Sequence, residues 1–203
     1  MLELPVTVRL PKPDEVSHRP DIEEIMFKRK KANITQGFVF RKNNGPQLPF
    51  AFYAEININN SNLWNLFIAL TDTLPTEVSC EYGLYEDEQV TTEYFSKDDV
   101  LQKLAMYEEE LTADCMLEFG LLALANKQLT EIFVTESKYI RYWGIDKEAF
   151  LQCMASFNLI ETPDLAFIDE FPKVTEPLKK FIPTVKRTEE VIRSLNRMLQ
   201  VQP

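Results

Sequence analysis

Carboxylates are the side chains of this sequence that offer the most chemistry. They stand next to one another at Asp98-Asp99, at Glu108-Glu109-Glu110 and at Asp169-Glu170. Two carboxylates can hydrolyse a glycosidic bond or hold a divalent cation when separate elements bring them together. Neighbours on one helix diverge by about 100° per residue, so an adjacent pair cannot share a site alone. We therefore predict solvated helix surfaces here, and the alternative is a carboxylate-dependent hydrolase, metal-assisted or glycosidase-like.

The residue types that other catalytic sites require are scarce. The one histidine, His18, lies in a proline-rich segment, where an ordered acid–base or metal-binding role is not expected. Cys80, Cys115 and Cys153 form no CxxC pair, which argues against a zinc site, a disulfide framework and a Cys–His nucleophile. The five glycines are all isolated, which argues against a phosphate-binding loop. We predict no catalytic residue, no metal and no cofactor.

Negative charge is concentrated in one part of the chain. The net charge is −10, and residues 77–118 hold thirteen acidic residues against Lys97 and Lys103. The rest of the chain is therefore close to neutral. An acidic surface repels phosphate backbones and attracts basic proteins, so we predict a basic protein partner and no nucleic acid.

The compartment follows from what the sequence lacks. No apolar run reaches the roughly 18–20 residues of a membrane span, so no membrane association is predicted. The first ten residues have neither the basic start nor the apolar centre of a signal peptide. Three unpaired cysteines suit a reducing compartment, and we predict a cytoplasmic protein.

Hydrophobic periodicity predicts the elements that carry these residues. Alternation of period two, with a turn at Asn43-Asn44-Gly45-Pro46, predicts strands near 37–41, 50–58, 78–84, 90–95, 116–123, 131–135 and 139–143. Helical periodicity predicts helices near 22–27, 61–74, 96–111, 146–157 and 188–199. The fold class predicted is α+β, a mainly antiparallel sheet with helices packed on it.

Helix starts and faces follow from residue type. The predicted N-caps are Ser61, Asp146, Thr188 and Ser96, the last forming a capping box with Asp99. In the helix near 96–111, the side chains expected to face solvent are Asp98, Gln102, Glu109 and Glu110.

Proline content divides the chain into three regions. Residues 1–32 contain Pro5, Pro11, Pro13 and Pro20 and predict an N-terminal arm with one edge strand and one short helix. Residues 33–171 form the α+β core domain, with an edge strand at 165–168. Residues 172–203 hold a linker and a C-terminal amphipathic helix. An echo between 97–119 and 147–169, each with the pattern strand, capped helix, turn and strand, raises an internal duplication as an alternative to coincidence.

Two groups of residues are candidates for binding a partner. Tyr139, Arg141 and Trp143 alternate along one strand, so they share a face, and these residue types dominate interface hot spots. Lys138 and Tyr142 belong to the same basic-aromatic stretch, and ordinary sheet packing is the alternative role for it. The full set predicted to contact a basic partner is Glu86, Asp87, Glu88, Glu93, Asp98, Glu108, Glu109, Glu110, Tyr139, Arg141 and Trp143.

The layout of residues 64–171 resembles that of the acidic α+β immunity proteins that neutralise bacterial toxins. It carries an acidic helix, then the strands with Glu118-Phe119-Gly120 and Phe133-Val134, then Lys138-Tyr139 and Phe167-Ile168-Asp169. The resemblance covers about half of the chain and implies a non-catalytic protein that binds a basic toxin. No functional residue is carried over from it. A structural or assembly subunit that docks through its arm and terminal helix is a third alternative.

Overall fold

The structure is a computed structural model that describes residues 2–9, 11–12, 15, 21–45 and 47–200. Within these residues the strands are β1 (Val8–Arg9), β2 (Gly37–Lys42), β3 (Phe52–Asn57), β4 (Glu77–Leu84), β5 (Val90–Thr91), β6 (Phe95–Ser96), β7 (Leu117–Ala125), β8 (Gln128–Val134), β9 (Ile140–Gly144) and β10 (Val174–Thr175). The α-helices are α1 (Ile22–Lys31), α2 (Leu63–Leu70), α3 (Lys97–Ala105), α4 (Glu108–Ala113), α5 (Lys147–Ser156) and α6 (Thr188–Met198). None of these helices combines the length and the apolar character that a membrane crossing requires.

One large sheet forms the centre of the molecule. Its strand order is β2-β3-β9-β8-β7-β4-β5. The short β5 and β6 both pair with β4, β5 at Glu81 and Tyr82 and β6 at Glu77 and Val78. Every pairing in this main sheet is antiparallel. The predicted α+β class with a mainly antiparallel sheet is therefore confirmed.

The core lies on one face of the main sheet, where the alternating apolar side chains of the strands meet the helices. In β3 the inward residues Phe52, Ala54 and Ile56 are buried, whereas Tyr53 and Glu55 between them are only half-buried. The buried apolar side chains of α2, α3, α5 and α6 join the same core. Burial at about 25 cal/mol per Å² of apolar surface makes this layer the main source of stability.

The opposite face of the main sheet carries no buried helix side chains from the described residues. We call it the open face, and its side chains belong to Val39, Arg41, Tyr53, Glu55, Glu81, Glu118, Leu122, Glu131, Phe133, Arg141 and Trp143. Gly120 lies among them, directly between Glu81 and Phe133 in the cross-strand row.

The C-terminal helix is part of the core. Val191 and Leu195 of α6 and Leu199 after it are almost fully buried against the sheet, as the amphipathic pattern predicts. Thr188 does not cap this helix. Its hydroxyl donates to the Asp114 carboxylate at 2.6 Å, because the helix begins one residue earlier than predicted, at the N-cap Arg187.

The acidic helix predicted near 96–111 is two helices, α3 and α4, separated by Met106 and Tyr107. The break turns the chain so that the Tyr107 ring is buried and its hydroxyl accepts a hydrogen bond from Lys186 Nζ at 3.0 Å. The capping box is also wrong, since the Ser96 side chain makes no cap hydrogen bond. Lys97 instead donates to the carbonyls of Thr71 and Leu74 at the end of the preceding helical segment, at 2.8 and 3.0 Å.

Two further local predictions are corrected by side-chain hydrogen bonds. The strand predicted near 90–95 is interrupted at Thr92, whose hydroxyl accepts from the Cys80 amide at 2.9 Å, so only the short β5 and β6 pair with β4. Ser61 does not cap α2, which follows a turn of 3-10 helix at Asn60–Asn62. Its hydroxyl donates to Glu3 at 2.7 Å instead.

Both edges of the main sheet are covered or short. Beside β2, residues 160–166 make two isolated bridges, Phe38 of the strand with Glu161, and Asn33, which precedes the strand, with Leu165. The strand predicted at 165–168 therefore does not form, because only single bridges are made. At the other edge, β5 and β6 have two residues each. The missing strand also means that the 147–169 copy of the sequence echo lacks the last element of its predicted pattern.

The predicted N-terminal arm is described in part. Its edge strand is β1, which pairs with β10 outside the main sheet, and its helix is α1, longer than predicted and without a buried side chain. The middle of the arm, including His18, lies outside the described residues. Thr7 is buried and donates to the Ala113 carbonyl at 2.5 Å, which ties the described start of the chain to α4.

Candidate protein-binding surfaces

An acidic groove of about 860 Å³ lies where the N-terminal residues, α2 and the junction of α3 and α4 meet. We call it the acidic groove, and the side chains that characterise it are Glu3, Val6, Trp64, Met106, Glu108 and Glu109. The N-terminal wall is fixed in place, because the Glu3 amide donates to Asn59 Oδ1 at 3.0 Å and its carboxylate accepts from Ser61. The groove is thus built from ordered elements.

The groove combines negative charge with exposed apolar surface. Met106 is 65% exposed and Val6 is 47% exposed, and both line the groove beside its carboxylates. Glu108 and Glu109 are exposed, and neither forms an ion pair with a described residue. Their position at the start of α4 suits carboxylates, because the helix dipole favours negative charge there.

Glu110 was predicted to face solvent and to contact a partner, and the predicted solvent-facing orientation is wrong. It is 8% exposed, and its carboxylate accepts a hydrogen bond from the Lys186 amide at 2.9 Å. The burial follows from the break between α3 and α4, which rotates α4 relative to the preceding helix. Glu110 therefore fixes the segment before α6, and its carboxylate is not part of the free acidic surface.

The acidic segment 77–118 is distributed over several surfaces. Glu86, Asp87 and Glu88 are exposed in the turn between β4 and β5, and Glu93 and Asp98 are exposed further along the chain. Glu108 and Glu109 line the groove. Four other acids of this segment lie elsewhere: Glu81 and Glu118 are on the open face, and Glu110 and Asp114 are buried.

Arg141 and Trp143 lie together on the open face, as their spacing predicts, and both are half-buried. Trp143 packs against Tyr53 of the neighbouring strand with ring centroids 4.9 Å apart. Tyr139 precedes the strand and is only 3% exposed, since its ring packs on Phe167. The prediction that Tyr139 shares an exposed face with Arg141 and Trp143 is therefore wrong, because the Tyr139 side chain is buried.

Tyr139 organises a polar corner of the open face. Its hydroxyl donates to Asp169 at 3.0 Å and accepts from Arg141 Nη2 at 2.6 Å. Burial raises the pKa of this phenol, and the nearby Asp169 carboxylate raises it further. The corner encloses a cleft of about 470 Å³ in which the Arg41–Glu55 ion pair also lies. Tyr139 thus positions the Arg141 guanidinium.

Lys138 is not part of an exposed basic stripe. It is 4% exposed, it has a left-handed φ of 60°, and its ammonium donates to the Leu117 carbonyl at 2.6 Å. Burial lowers its pKa, while the nearby Cys115 and the surrounding carboxylates act in the opposite direction. Beside it, Lys173 forms an ion pair with the buried Glu136 at 2.8 Å and also hydrogen-bonds Ser137. These groups stabilise the turn between β8 and β9.

Glu131 is the open-face carboxylate with the most perturbed titration. It faces Leu122 on one neighbouring strand and Trp143 on the other. Burial raises the pKa of Glu131 to about 7, and the like charge of Glu81 adds to the shift. Burial also raises the pKa of Glu81. No described cation forms an ion pair with either carboxylate.

Replacing Glu131 by Gln is expected to stabilise the fold at alkaline pH. The unfolded carboxyl ionises near 4.5 and the folded one near 7, so the cost of ionising the folded protein grows from pH 4.5 to pH 7 and persists above it. After discounting for the solvent-exposed part of the side chain, the variant should gain about 1 kcal/mol at pH 8 and nothing at pH 4.5. Urea unfolding of the dilute, monomeric chain at both pH values measures this, with Glu148→Gln on exposed α5 as the control. A gain of the same size at both pH values would contradict the assignment.

Sequence reasoning missed Glu131, Phe133 and Met106. The first two were available from the period-two pattern, since they alternate with the buried Ile132 and Val134 along β8. The sequence gives no sign that Met106 is exposed, because its exposure depends on the break between α3 and α4.

No protein-family model, curated protein or solved structure matches this chain. The chemistry of the surfaces described above is therefore the basis for assigning a function.

The described residues contain no group of three His, Cys, Asp or Glu side chains placed to hold a metal ion. The three cysteines are free, with Cys80 and Cys115 buried and Cys153 half-buried against the core. Burial raises the pKa of all three thiols, to about 11 for Cys153. A raised thiol pKa lowers the thiolate population at neutral pH, which disfavours nucleophilic or metal-binding roles for them.

Proposed function

We propose that this chain is a non-catalytic protein-binding module whose acidic groove holds a basic segment of a protein partner. The observation that carries the proposal is the meeting of the unpaired carboxylates Glu108 and Glu109 with the exposed Met106 and Val6 in one groove. Apolar anchors in a pocket supply affinity, and the surrounding charges supply specificity and association rate. A segment with alternating lysine or arginine and apolar side chains fits this combination.

The partner we propose first is a basic toxin, which the protein neutralises in the cytoplasm. The net charge of −10 suits a cationic partner, since clustered carboxylates steer a basic protein during diffusional encounter. The resemblance of residues 64–171 to acidic immunity proteins supports this choice. Glu86, Asp87 and Glu88 on their exposed turn, and Glu93 and Asp98, are proposed to contribute to steering rather than to the groove contact.

Reversing the two groove charges is expected to weaken binding of a basic peptide by roughly tenfold or more at low salt. The variant is Glu108→Lys with Glu109→Lys, and the probe is a fluorescent 12-residue peptide of alternating lysine and leucine, titrated by anisotropy. The matched control is Glu86→Lys with Glu88→Lys, which makes the same change in net charge outside the groove and should weaken binding far less.

Two results would count against the groove. Equal weakening by both double variants would show that net charge alone attracts the peptide. In the native host, a photo-crosslinking amino acid at Met106 should capture the partner, and the same group at Asp87 should capture less of it. Equal capture at both positions, or capture only at Asp87, would place the contact elsewhere.

The second candidate, a glycosidase-like hydrolase, is favoured by the proximity of Glu81 and Glu131. A carboxyl with a pKa of about 7 that is raised in part by a second carboxylate resembles the acid of the carboxyl pair in such enzymes. Release of nitrophenol from a panel of nitrophenyl glycosides, lost in Glu131→Gln, would support this candidate. A rate equal to that of the buffer across the panel would remove it for those substrates.

A further inference from the structure

The open face of the main sheet has an apolar centre. Phe133, Trp143, Tyr53 and Leu122 are all half-buried there, and their partial burial comes from one another and from neighbouring open-face side chains. The buried residues of α2, α3, α5 and α6 all pack on the opposite face. Residues 163–170 cover the part of this face around Val39 and border the cleft that contains Arg141. The aromatic centre has no buried helix side chain packed on it, and such a centre is a typical docking surface, because sheets stabilise one another by packing face to face.

Charge is divided across the same face. The cations, Arg141 and Arg41, lie on β9 and β2, and the carboxylates without a cationic partner, Glu131 and Glu81, lie on β8 and β4. Arg41 forms an ion pair with Glu55 at 3.7 Å. The charged open-face side chains of β2, β3 and β9 are Arg41, Arg141 and Glu55, with a formal net charge of +1. Those of β4, β7 and β8 are Glu81, Glu118 and Glu131, with a formal net charge of −3. This difference in charge makes the face complementary to itself.

The register of β8 and β9 gives the complementarity a geometry. Glu131 lies opposite Trp143, and Phe133 lies opposite Arg141, so these four side chains stand at the corners of a rectangle. Its diagonals join Glu131 to Arg141 and Phe133 to Trp143. A two-fold axis along the aromatic diagonal places each aromatic ring against its own copy and exchanges the two charged corners. Each Glu131 then lies over Arg141 of the second copy.

We infer that the open face binds a second copy of this chain in a two-fold symmetric, face-to-face dimer. A two-fold axis along the diagonal of this rectangle makes the strands of the two sheets cross steeply, which is one of the arrangements that packed sheets adopt. The second copy's guanidinium supplies the cation that Glu131 lacks within its own chain. Arg141 is available for this contact because its bonds to Tyr139 use Nε and Nη2 and leave Nη1 free of described partners. The dimer goes beyond the proposed function and does not depend on it.

Charge exchange tests the dimer. The full chain is expected to sediment as a dimer at about 100 μM, whereas Glu131→Arg and Arg141→Glu, each alone, should sediment as monomers, because like charges then oppose each other at both corners. An equimolar mixture of the two variants should form a dimer again. In that mixed pair the chain with two arginines faces the chain with two glutamates, so both contacts are restored.

A second variant keeps the test independent of charge and folding. Phe133→Ser removes the ring on the proposed axis without touching a charged group, and it should weaken dimerisation at least tenfold while its far-UV circular dichroism stays unchanged. A wild-type chain that is monomeric at 100 μM, a dimer that Phe133→Ser leaves intact, or a mixture that stays monomeric would each overturn the inference. Glu108→Lys with Glu109→Lys should dimerise like the wild type, so failure of the groove proposal is distinguishable from failure of this one.

Discussion

Phe150→Ala is expected to lower the free energy of unfolding by about 4 kcal/mol. Phe150 is fully buried on α5, and its ring meets Phe38, Phe52 and Tyr142 of the sheet with centroids 5.5, 5.2 and 5.1 Å apart. Truncation removes the apolar transfer energy, leaves a cavity and ends several aromatic contacts, each about 0.5–1.5 kcal/mol beyond its buried area. A loss of this size is a large share of the roughly 5–15 kcal/mol that stabilises a domain.

Urea unfolding followed by tryptophan fluorescence measures this loss. Phe27→Ala on α1 is the matched control, since that ring is 57% exposed and its truncation should change the free energy by less than about 0.5 kcal/mol. If the two variants unfolded at the same urea concentration, the packing of α5 on the sheet would be wrong.

Lys138→Met is expected to destabilise the fold by about 3 kcal/mol. The substitution keeps an unbranched side chain in the pocket but removes the ammonium, which leaves the buried Leu117 carbonyl without its donor. It also removes a nearby cation from the carboxylates of Asp114, Glu118 and Glu136. Glu136 keeps its ion pair with Lys173, which also donates to Ser137.

Lys127→Met is a close control for this substitution. Lys127 has a similar left-handed backbone, with φ of 64°, but it is exposed in the turn between β7 and β8. The same chemical change there should alter the free energy of unfolding by less than about 0.5 kcal/mol. Equal unfolding midpoints for the two variants would show that the Lys138 ammonium contributes nothing to the native fold.

The main sheet was predictable because its residues repeat with a period of two. Phe52, Ala54 and Ile56 alternate with half-buried neighbours, and a slip by one residue would turn all of them to the other face. α6 was predictable for the same kind of reason, since Val191 and Leu195 are one helical turn apart. Patterns of this kind depend on neighbours in the sequence, so one sequence contains them.

The contacts that the sequence does not contain are those between distant segments. Nothing near Glu110 indicates that its carboxylate will meet the Lys186 amide, 76 residues away. In the sequence Lys138 resembles a surface lysine next to Tyr139, and only the fold brings the Leu117 carbonyl, 21 residues away, to its ammonium. Because such contacts cannot be read from one sequence, only part of the candidate surfaces was predicted. Glu108 and Glu109 do line the groove, and Arg141 and Trp143 do lie on the open face.

The treatment of the sheet edges determines how copies of this chain can associate. Residues 160–162 occupy the hydrogen-bonding position at Phe38 of β2, with the Thr162 amide donating to Phe38 at 2.8 Å and the Phe38 amide donating to Ile160 at 3.1 Å. The opposite edge offers only two-residue strands. Neither edge presents a long row of unpaired amides to a second chain, which disfavours growth by strand addition, the route to open-ended fibrils. Self-association therefore has to use surfaces other than the edges of the main sheet.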